Sequence, residues 1–348
     1  MSIVEVAKLA GCSTATVSRV LNRRAGVSDE AAARVQDAAK QLNYRLPANR
    51  PGPQPKAERV VRTGHVAFLM FGTDANSLAA PTAASVVNAV ENTLASQAYS
   101  MTLSQVRDET RLPPMVQRGE VDGLILHGLP PSDRLARKLR GLPAVWVMSP
   151  RDTSGYWGDR VAPDNKAVGA TAAEYLITRG HSRIALLGAN AGHRGFAQRS
   201  SAFERAAAAA GVTCHIVQSD RPAGYRVGDF RSERQYIDLL IQRFAQLPRS
   251  TTGLFVPRAQ TTSMVFEALR AQGLEPGRDV TIVACDNDPT LPGLNPQIAT
   301  IDVRPDLVGR SAVDQLMRRI DHPEPFSRSL VLIEPALLEP GDPRLCTA

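Results

Sequence analysis

The sequence predicts a two-part protein: an N-terminal all-α unit built on a helix-turn-helix, followed by an α/β region with two doubly wound parallel sheets. Three observations carry this expectation. Two short runs with apolar residues at helical spacing are joined at Gly11, a proline-rich stretch spans 47–62, and from Thr63 onward strand-like apolar runs alternate with amphipathic helical ones.

In the first unit, Ile3, Val6, Ala7 and Ala10 repeat at helical spacing, and after Gly11 the apolar set resumes with Val17, Val20 and Leu21. A glycine between two such runs reads as a tight turn. Ser13 suits the N-cap of the second helix, which leaves Thr14, Ala15, Ser18, Arg19 and Asn22 on or beside the face the core does not need. A third amphipathic helix follows Ser28-Asp29-Glu30 and buries Ala31, Val35, Ala38, Ala39 and Leu42. The exposed set of short polar side chains and one arginine suits a DNA major groove.

Charge points the same way. Residues 1–62 hold eleven Lys and Arg against five acids, an excess of six in a chain whose whole net charge is +7. Nearly all the basic surplus therefore lies beside the turn motif, where contacts to phosphates would use it through counterion release. A membrane-surface helix would need bulky apolar anchors that this segment lacks, and no apolar run approaches the ~18 residues of a membrane span. With no signal-peptide core before Glu5, a cytoplasmic, nucleoid-associated location is expected.

Between Pro47 and Arg62, prolines at 47, 51, 53 and 55 remove amide donors and favour extended backbone, so a semi-rigid tether is expected there rather than a helix. Beyond it, strand-like runs fall at 66–71, 100–105, 123–127, 144–148, 184–187, 213–218, 253–256 and 280–284. Helical patterns fall at 83–97, 167–179, 199–210, 233–247 and 261–272.

The stretch Val6-Ala7-Lys8-Leu9-Ala10-Gly11-Cys12-Ser13-Thr14-Ala15-Thr16-Val17-Ser18-Arg19-Val20-Leu21-Asn22, with Val27-Ser28 and Leu42-Asn43-Tyr44 after it, resembles the opening of the LacI/GalR family of bacterial transcription regulators. Val121-Asp122-Gly123, Asp164-Asn165, Arg179-Gly180-His181-Ser182-Arg183-Ile184, Asp279-Val280-Thr281-Ile282-Val283 and Ala299-Thr300-Ile301 extend the likeness along the chain. The resemblance implies a helix-turn-helix domain at 1–46, a linker at 47–62, and a type I periplasmic-binding-protein-like domain at 63–348 whose chain passes between two lobes three times. The lobes are expected at 63–162 with 290–322, and at 163–289 with 323–341.

That family's function would be repression of transcription from an operator in double-stranded DNA, controlled by a small metabolite, a sugar or sugar derivative, held between the lobes. A recognition helix covers few base pairs, so a homodimer or higher oligomer is expected. Arg19 is the candidate for a guanine contact, Thr14 and Ala15 for base edges or thymine methyls, Ser13, Thr16, Ser18 and Asn22 for phosphates, and Tyr44 for a further backbone contact. For the effector, the resemblance nominates Asp164, Arg199, Phe230 and Asp286. Arg258 departs from the family, which usually has an acid there. A guanidinium offers donors only, so an anionic effector held by Arg199 and Arg258 is expected.

Alternatives were weighed on their residues. Gly188, Gly192 and Gly195 follow a strand but lack both the dinucleotide spacing and a phosphate-loop lysine. Cys12, Cys214, Cys285 and Cys346 are scattered without metal-ligand spacing, the six histidines form no ligand pair, and no nucleophile elbow is present. No cofactor, metal site or catalytic residue is therefore expected. A solute-binding transport protein would share the lobes but need export, and a nucleotide-dependent enzyme would need the Gly188 loop to hold a cofactor.

Overall fold

The computed structural model describes residues 3–21, 27–42, 44, 62–72, 80–107, 112–148, 155–188, 194–226, 228–323 and 327–345. The chain divides into two compact units, Met1–Val61 and Arg62–Ala348. The expected tether at 47–62 lies, apart from Arg62, outside the described residues.

Three helices build the first unit: α1 (Ile3–Leu9), α2 (Thr14–Leu21) and α3 (Asp29–Gln41). Gly11 takes φ 61° and Cys12 N–H reaches the Ala7 carbonyl, so the chain reverses within a few residues. Val6, Ala7, Ala10, Val17, Val35, Ala38 and Ala39 form the core, with Val20, Leu21, Leu42 and Tyr44 packed against it. Ser13 Oγ accepts from Thr16 N–H at 3.1 Å and Ser28 Oγ from Ala31 N–H at 3.4 Å, which satisfies amides that open α2 and α3.

In the second unit the first sheet runs in the order β11-β5-β4-β3-β1-β2, comprising β1 (His65–Phe71), β2 (Ser100–Val106), β3 (Gly123–Gly128), β4 (Ala144–Val147), β5 (Asp159–Pro163) and β11 (Leu330–Ile333). All its pairings are parallel. The second runs β12-β10-β9-β8-β6-β7, comprising β6 (Arg183–Leu187), β7 (Thr213–Val217), β8 (Gly253–Val256), β9 (Thr281–Cys285), β10 (Ala299–Asp302) and β12 (Ala336–Leu338). Only β12 pairs antiparallel, with β10.

Both faces of each sheet are covered, which explains why the strands read as continuous apolar runs. On the first sheet, α4 (Pro81–Ser96) and α11 (Pro305–Asp321) cover one face, and α5 (Pro114–Gln117) and α6 (Asp133–Leu139) the other. On the second, α7 (Asn165–Thr178) and α8 (Arg194–Ala209) oppose α9 (Phe230–Ala245) and α10 (Thr262–Ala271). Among the described residues no helix is long and apolar enough to cross a membrane.

The chain changes sheet after β5, β10 and β11, so three crossovers leave from carboxyl ends of strands. The lobe limits expected from sequence are corrected at two of them. Ala299–Asp302, expected in the first lobe, pairs with β9 in the second sheet, and Leu330–Ile333, expected in the second lobe, pairs with β5 in the first. These two crossovers therefore come one strand later than expected, because such short strands give no separate periodic signal.

Two glycines at matching places let the crossover helices pack closely. Gly169 is the fifth residue of α7, and a Cβ there would lie 2.0 Å from the Arg199 carbonyl oxygen; Gly309, fifth in α11, would meet Ala89 Cβ at 2.6 Å and the Val86 carbonyl oxygen at 2.8 Å. A second fastening is polar. Asp159, fully buried, accepts from Arg319 Nε and Nη2 at 2.7 Å each, from Gln315 Nε2 at 2.5 Å and from Ser329 N–H at 2.8 Å, which joins β5, α11 and the approach to β11. Burial pushes the Asp159 carboxyl up, but the hydrogen bonds from Arg319, Gln315 and Ser329 outweigh it and hold the group below the usual carboxylate range.

Two outcomes are expected in urea denaturation. Gly169→Ala should cost about 3 kcal/mol, at the upper end for overpacking, because the obstacle is backbone. Asp159→Asn should cost about 3 kcal/mol near neutral pH by leaving Arg319 without its carboxylate. A depressed folded pKa gives stability that is present above the unfolded value and lost as pH falls through the folded one. The wild-type advantage over Asp159→Asn should therefore be flat above about pH 5 and shrink below about pH 4; an advantage that grows in acid would overturn the assignment.

Candidate functional site

The recognition surface of the first unit is set by which side of α2 the core takes. Val17 is fully buried and Val20 and Leu21 lean on the same cluster, so Ser13, Thr14, Ala15 and Arg19 are left exposed. Thr16 and Ser18 are half-buried, and Thr16 Oγ1 lies 2.9 Å from Ser13 Oγ. Those two hydroxyls therefore order the start of the helix as well as facing outward. Tyr44 is half-buried against the three-helix core, with its N–H on the Ala39 carbonyl. Asn22 lies outside the described residues. The structure thus places Thr14, Ala15 and Arg19 on one open face, free of the packing that occupies Val17.

In the second unit, the carboxyl ends of parallel strands are where open α/β folds take ligands. Arg199 is 7 % exposed there. Its Nε donates to Asn165 Oδ1 at 2.9 Å, its Nη1 to the Pro257 carbonyl at 2.8 Å, and its Nη2 faces Asp286 Oδ1 at 3.7 Å. One guanidinium thereby links the first crossover with the ends of β8 and β9. Asp286 takes φ 81°, and is held by its N–H on the Ile301 carbonyl and by Thr300 Oγ1 donating to its own carbonyl. Burial pushes its carboxyl up, and Arg199 partly offsets this.

Asp164 caps α7, its Oδ1 accepting from Lys166 and Ala167 N–H at 2.9 and 3.1 Å. Phe230 begins α9 behind the Asp229 cap and is 69 % exposed. Arg258 follows β8, but its Nη1 is 2.8 Å from Glu233 Oε1 and its Nη2 donates to Gln260 Oε1 at 3.3 Å. The sequence therefore brings Arg199, Asp286 and Arg258 into one electrostatic neighbourhood, with Asp164 beside Asn165 at its edge. It does not leave two unpaired guanidinium groups, the arrangement from which an anionic effector was expected: each already faces a carboxylate.

Two contributors were missed. Asn165 was quoted only as part of a motif, although it holds Arg199. Glu233 sits in the acidic first turn of an amphipathic helix, a pattern that ordinarily means a solvated face, yet it is 6 % exposed. The available signal was spacing: Glu233 lies four and seven residues before the buried Ile237 and Leu240, on the core-facing stripe of α9.

The first lobe's side of the strand ends is apolar. Phe68, Met70, Ala83, Val86, Val87, His127 and Met148 line a small recess, and His127 Nδ1 is 3.2 Å from the Val147 carbonyl oxygen. Burial pushes the His127 imidazole down, which favours its neutral form. The loop at 189–193, which holds Gly192, lies outside the described residues.

Against known proteins, residues 2–46 match the family model for bacterial regulatory proteins of the lacI family, and residues 173–339 match a periplasmic binding protein-like domain. The ribose operon repressor of Escherichia coli strain K12 is 28% identical over 348 residues, covering 97% of this chain and 98% of that protein. The HTH-type transcriptional repressor PurR of Erwinia tasmaniensis is 28% identical, covering 97% and 95%. Among solved structures, a transcriptional regulator CelR-cellobiose complex superposes with a TM-score of 0.65 at 24% identity, covering 97% and 98%, which supports the fold. Repressors that align along the whole chain set aside the transport protein and the nucleotide-dependent enzyme. A helix-turn-helix followed by two crossed parallel sheets, matched in that order, makes the chain a DNA-binding transcription regulator with a lacI-family helix-turn-helix domain and a periplasmic binding protein-like domain.

Proposed function

We propose that this regulator represses transcription in the cytoplasm, on the nucleoid, by binding a roughly palindromic operator as a homodimer, and that an uncharged polyhydroxylated metabolite between its lobes changes operator affinity. Two-fold pairing follows from the reach of one recognition helix: two of them span successive major grooves about 34 Å apart. Arg19 reads guanine, Thr14 and Ala15 meet base edges, and Ser13, Thr16, Ser18, Asn22 and Tyr44 position the unit on phosphates.

The observation that carries the effector reading is the arrangement around Arg199, where donors and acceptors alternate with charges already matched. Asp286 offers carboxylate oxygens to hydroxyl groups, Arg199 and Arg258 offer N–H donors, and Phe230 offers an exposed ring face for the apolar side of a sugar. Asp164 sets the crossover helix that carries Asn165. The names of similar proteins agree in kind, since ribose and cellobiose are both uncharged polyols.

Two measurements test this reading. On a palindrome selected from random duplexes, Arg19→Ala should weaken binding by about 1–3 kcal/mol while leaving binding to scrambled duplex within a few-fold. Equal losses on both would make Arg19 a phosphate contact. A thermal-shift screen of neutral sugars, polyols and nucleosides should find a ligand that alters operator affinity. Asp286→Asn should weaken that ligand by about tenfold or more, the range for hydrogen bonds to a charged group. An unchanged affinity would remove Asp286 from the site.

A further inference from the structure

Arg258 is a charged side chain near the second lobe's strand ends, and its pairing decides whether that charge is felt. Glu233 reaches it from the first turn of α9. The carboxylate lies 2.8 Å from Arg258 Nη1 and also accepts from Gly228 N–H at 3.1 Å. Its side chain is 7% exposed against 23% for Arg258, so the acid is the buried member and the guanidinium keeps an open edge. Arg199 stands across from Asp286 with the roles reversed, the arginine at 8% exposure and the acid at 20%.

We propose that Glu233 is a specificity determinant: by neutralising and pinning Arg258 it makes the cleft admit an uncharged effector and reject its phosphorylated or acidic forms. The proposal rests on the reading of this cleft as the effector site. An incoming phosphate would gain Arg258 only by displacing Glu233, and the displaced carboxylate has little water to turn to. The same anion would also face Asp286. A hydroxyl group asks for less. It accepts from the open edge of Arg258 and donates to Asp286 without breaking either pair. Were Glu233 absent, an exposed planar guanidinium beside Arg199 would be a good phosphate ligand.

Inorganic phosphate serves as the probe, so the test does not wait on the effector's identity. Wild type, Glu233→Gln, Arg258→Gln and the double variant are titrated calorimetrically at constant ionic strength. Glu233→Gln keeps the shape and the acceptor for Gly228 while removing the charge. It should gain a saturable phosphate site at least tenfold tighter than wild type, and the double variant should lose it. Glu233→Asp, which only retracts the carboxylate, should fall between, and carries the test if the Gln variant fails to fold. Wild type binding phosphate as tightly as Glu233→Gln, with loss in Arg258→Gln, would show Arg258 unmasked and overturn the proposal. So would the absence of any gain in both Glu233 variants. The effector reading fails separately, if wild type binds no neutral compound.

Discussion

The second unit depends on one buried guanidinium. Arg199 sits on α8, yet its hydrogen bonds go to the first crossover at Asn165 and to the end of β8 at Pro257, and its charge goes to the end of β9 at Asp286. Those bonds form only because α8 lies close against α7, and α7 admits it through Gly169, which the backbone of Arg199 itself approaches. Packing and polarity are thus one constraint: the glycine sets the distance at which the arginine can bridge. A buried cation so placed must keep its partners, since the interior offers no water to replace them. The carboxyl ends of the second sheet are held in register for that reason.

The first lobe solves a matching problem with other residues. Gly309 brings α11 onto α4, and Asp159 takes up Arg319, Gln315 and the Ser329 amide, so the helix after the second crossover is tied to the strands that precede the first and third. The two fastenings differ in what they leave over. Asp159 is used up by its donors and has no exposed surface. Asp286 has a single cation at 3.7 Å and keeps a fifth of its side chain exposed, which leaves oxygens for a ligand. The acid satisfied by four donors reads as structural, and the one left partly unsatisfied is the one proposed to bind.

What was legible in the sequence follows from how local each signal is. The helix-turn-helix was readable in its elements, because Gly11, the Ser13 cap and the Val6, Ala7, Ala10, Val17 spacing are all decided within one short segment, although Ala31, expected in the core, is only half-buried. Eight of the strands were readable from apolar runs of four to six residues, most of them buried on both faces and only β2 and β7, at the sheet edges, partly exposed. β5 was not, since it opens on Asp159 and closes on Pro163, and its aspartate is buried only by virtue of Arg319, 160 residues away. β10, β11 and β12 are three or four residues long and take their sheet from the partner they meet, which displaced the expected crossovers by a strand. The candidate effector residues were nominated as separate positions. Their pairing was invisible: Arg258 reads as a free cation until Glu233, 25 positions earlier on another element, is brought to 2.8 Å.

Strain marks the same edge. Four non-glycine residues among those described take positive φ, and three of them follow directly, or within two residues, on strand ends that face the crossovers: Met148 after β4, Asp286 after β9 and Arg304 after β10. Left-handed backbone at such residues costs on the order of 1 kcal/mol or more, and persists only where surrounding contacts over-determine it. At Asp286 the contacts are the Ile301 carbonyl and the Thr300 hydroxyl, both from the strand that leads into the second crossover. A ligand that engages the Asp286 carboxylate therefore pulls on a joint whose conformation is set by the segment connecting the lobes. A ligand shifts an equilibrium only by its differential affinity for the two states. Because Asp286 is tied to β10 and Arg199 to the first crossover, the proposed effector, held by both, would change operator affinity only to the extent that a shift of the lobes alters the geometry it meets there.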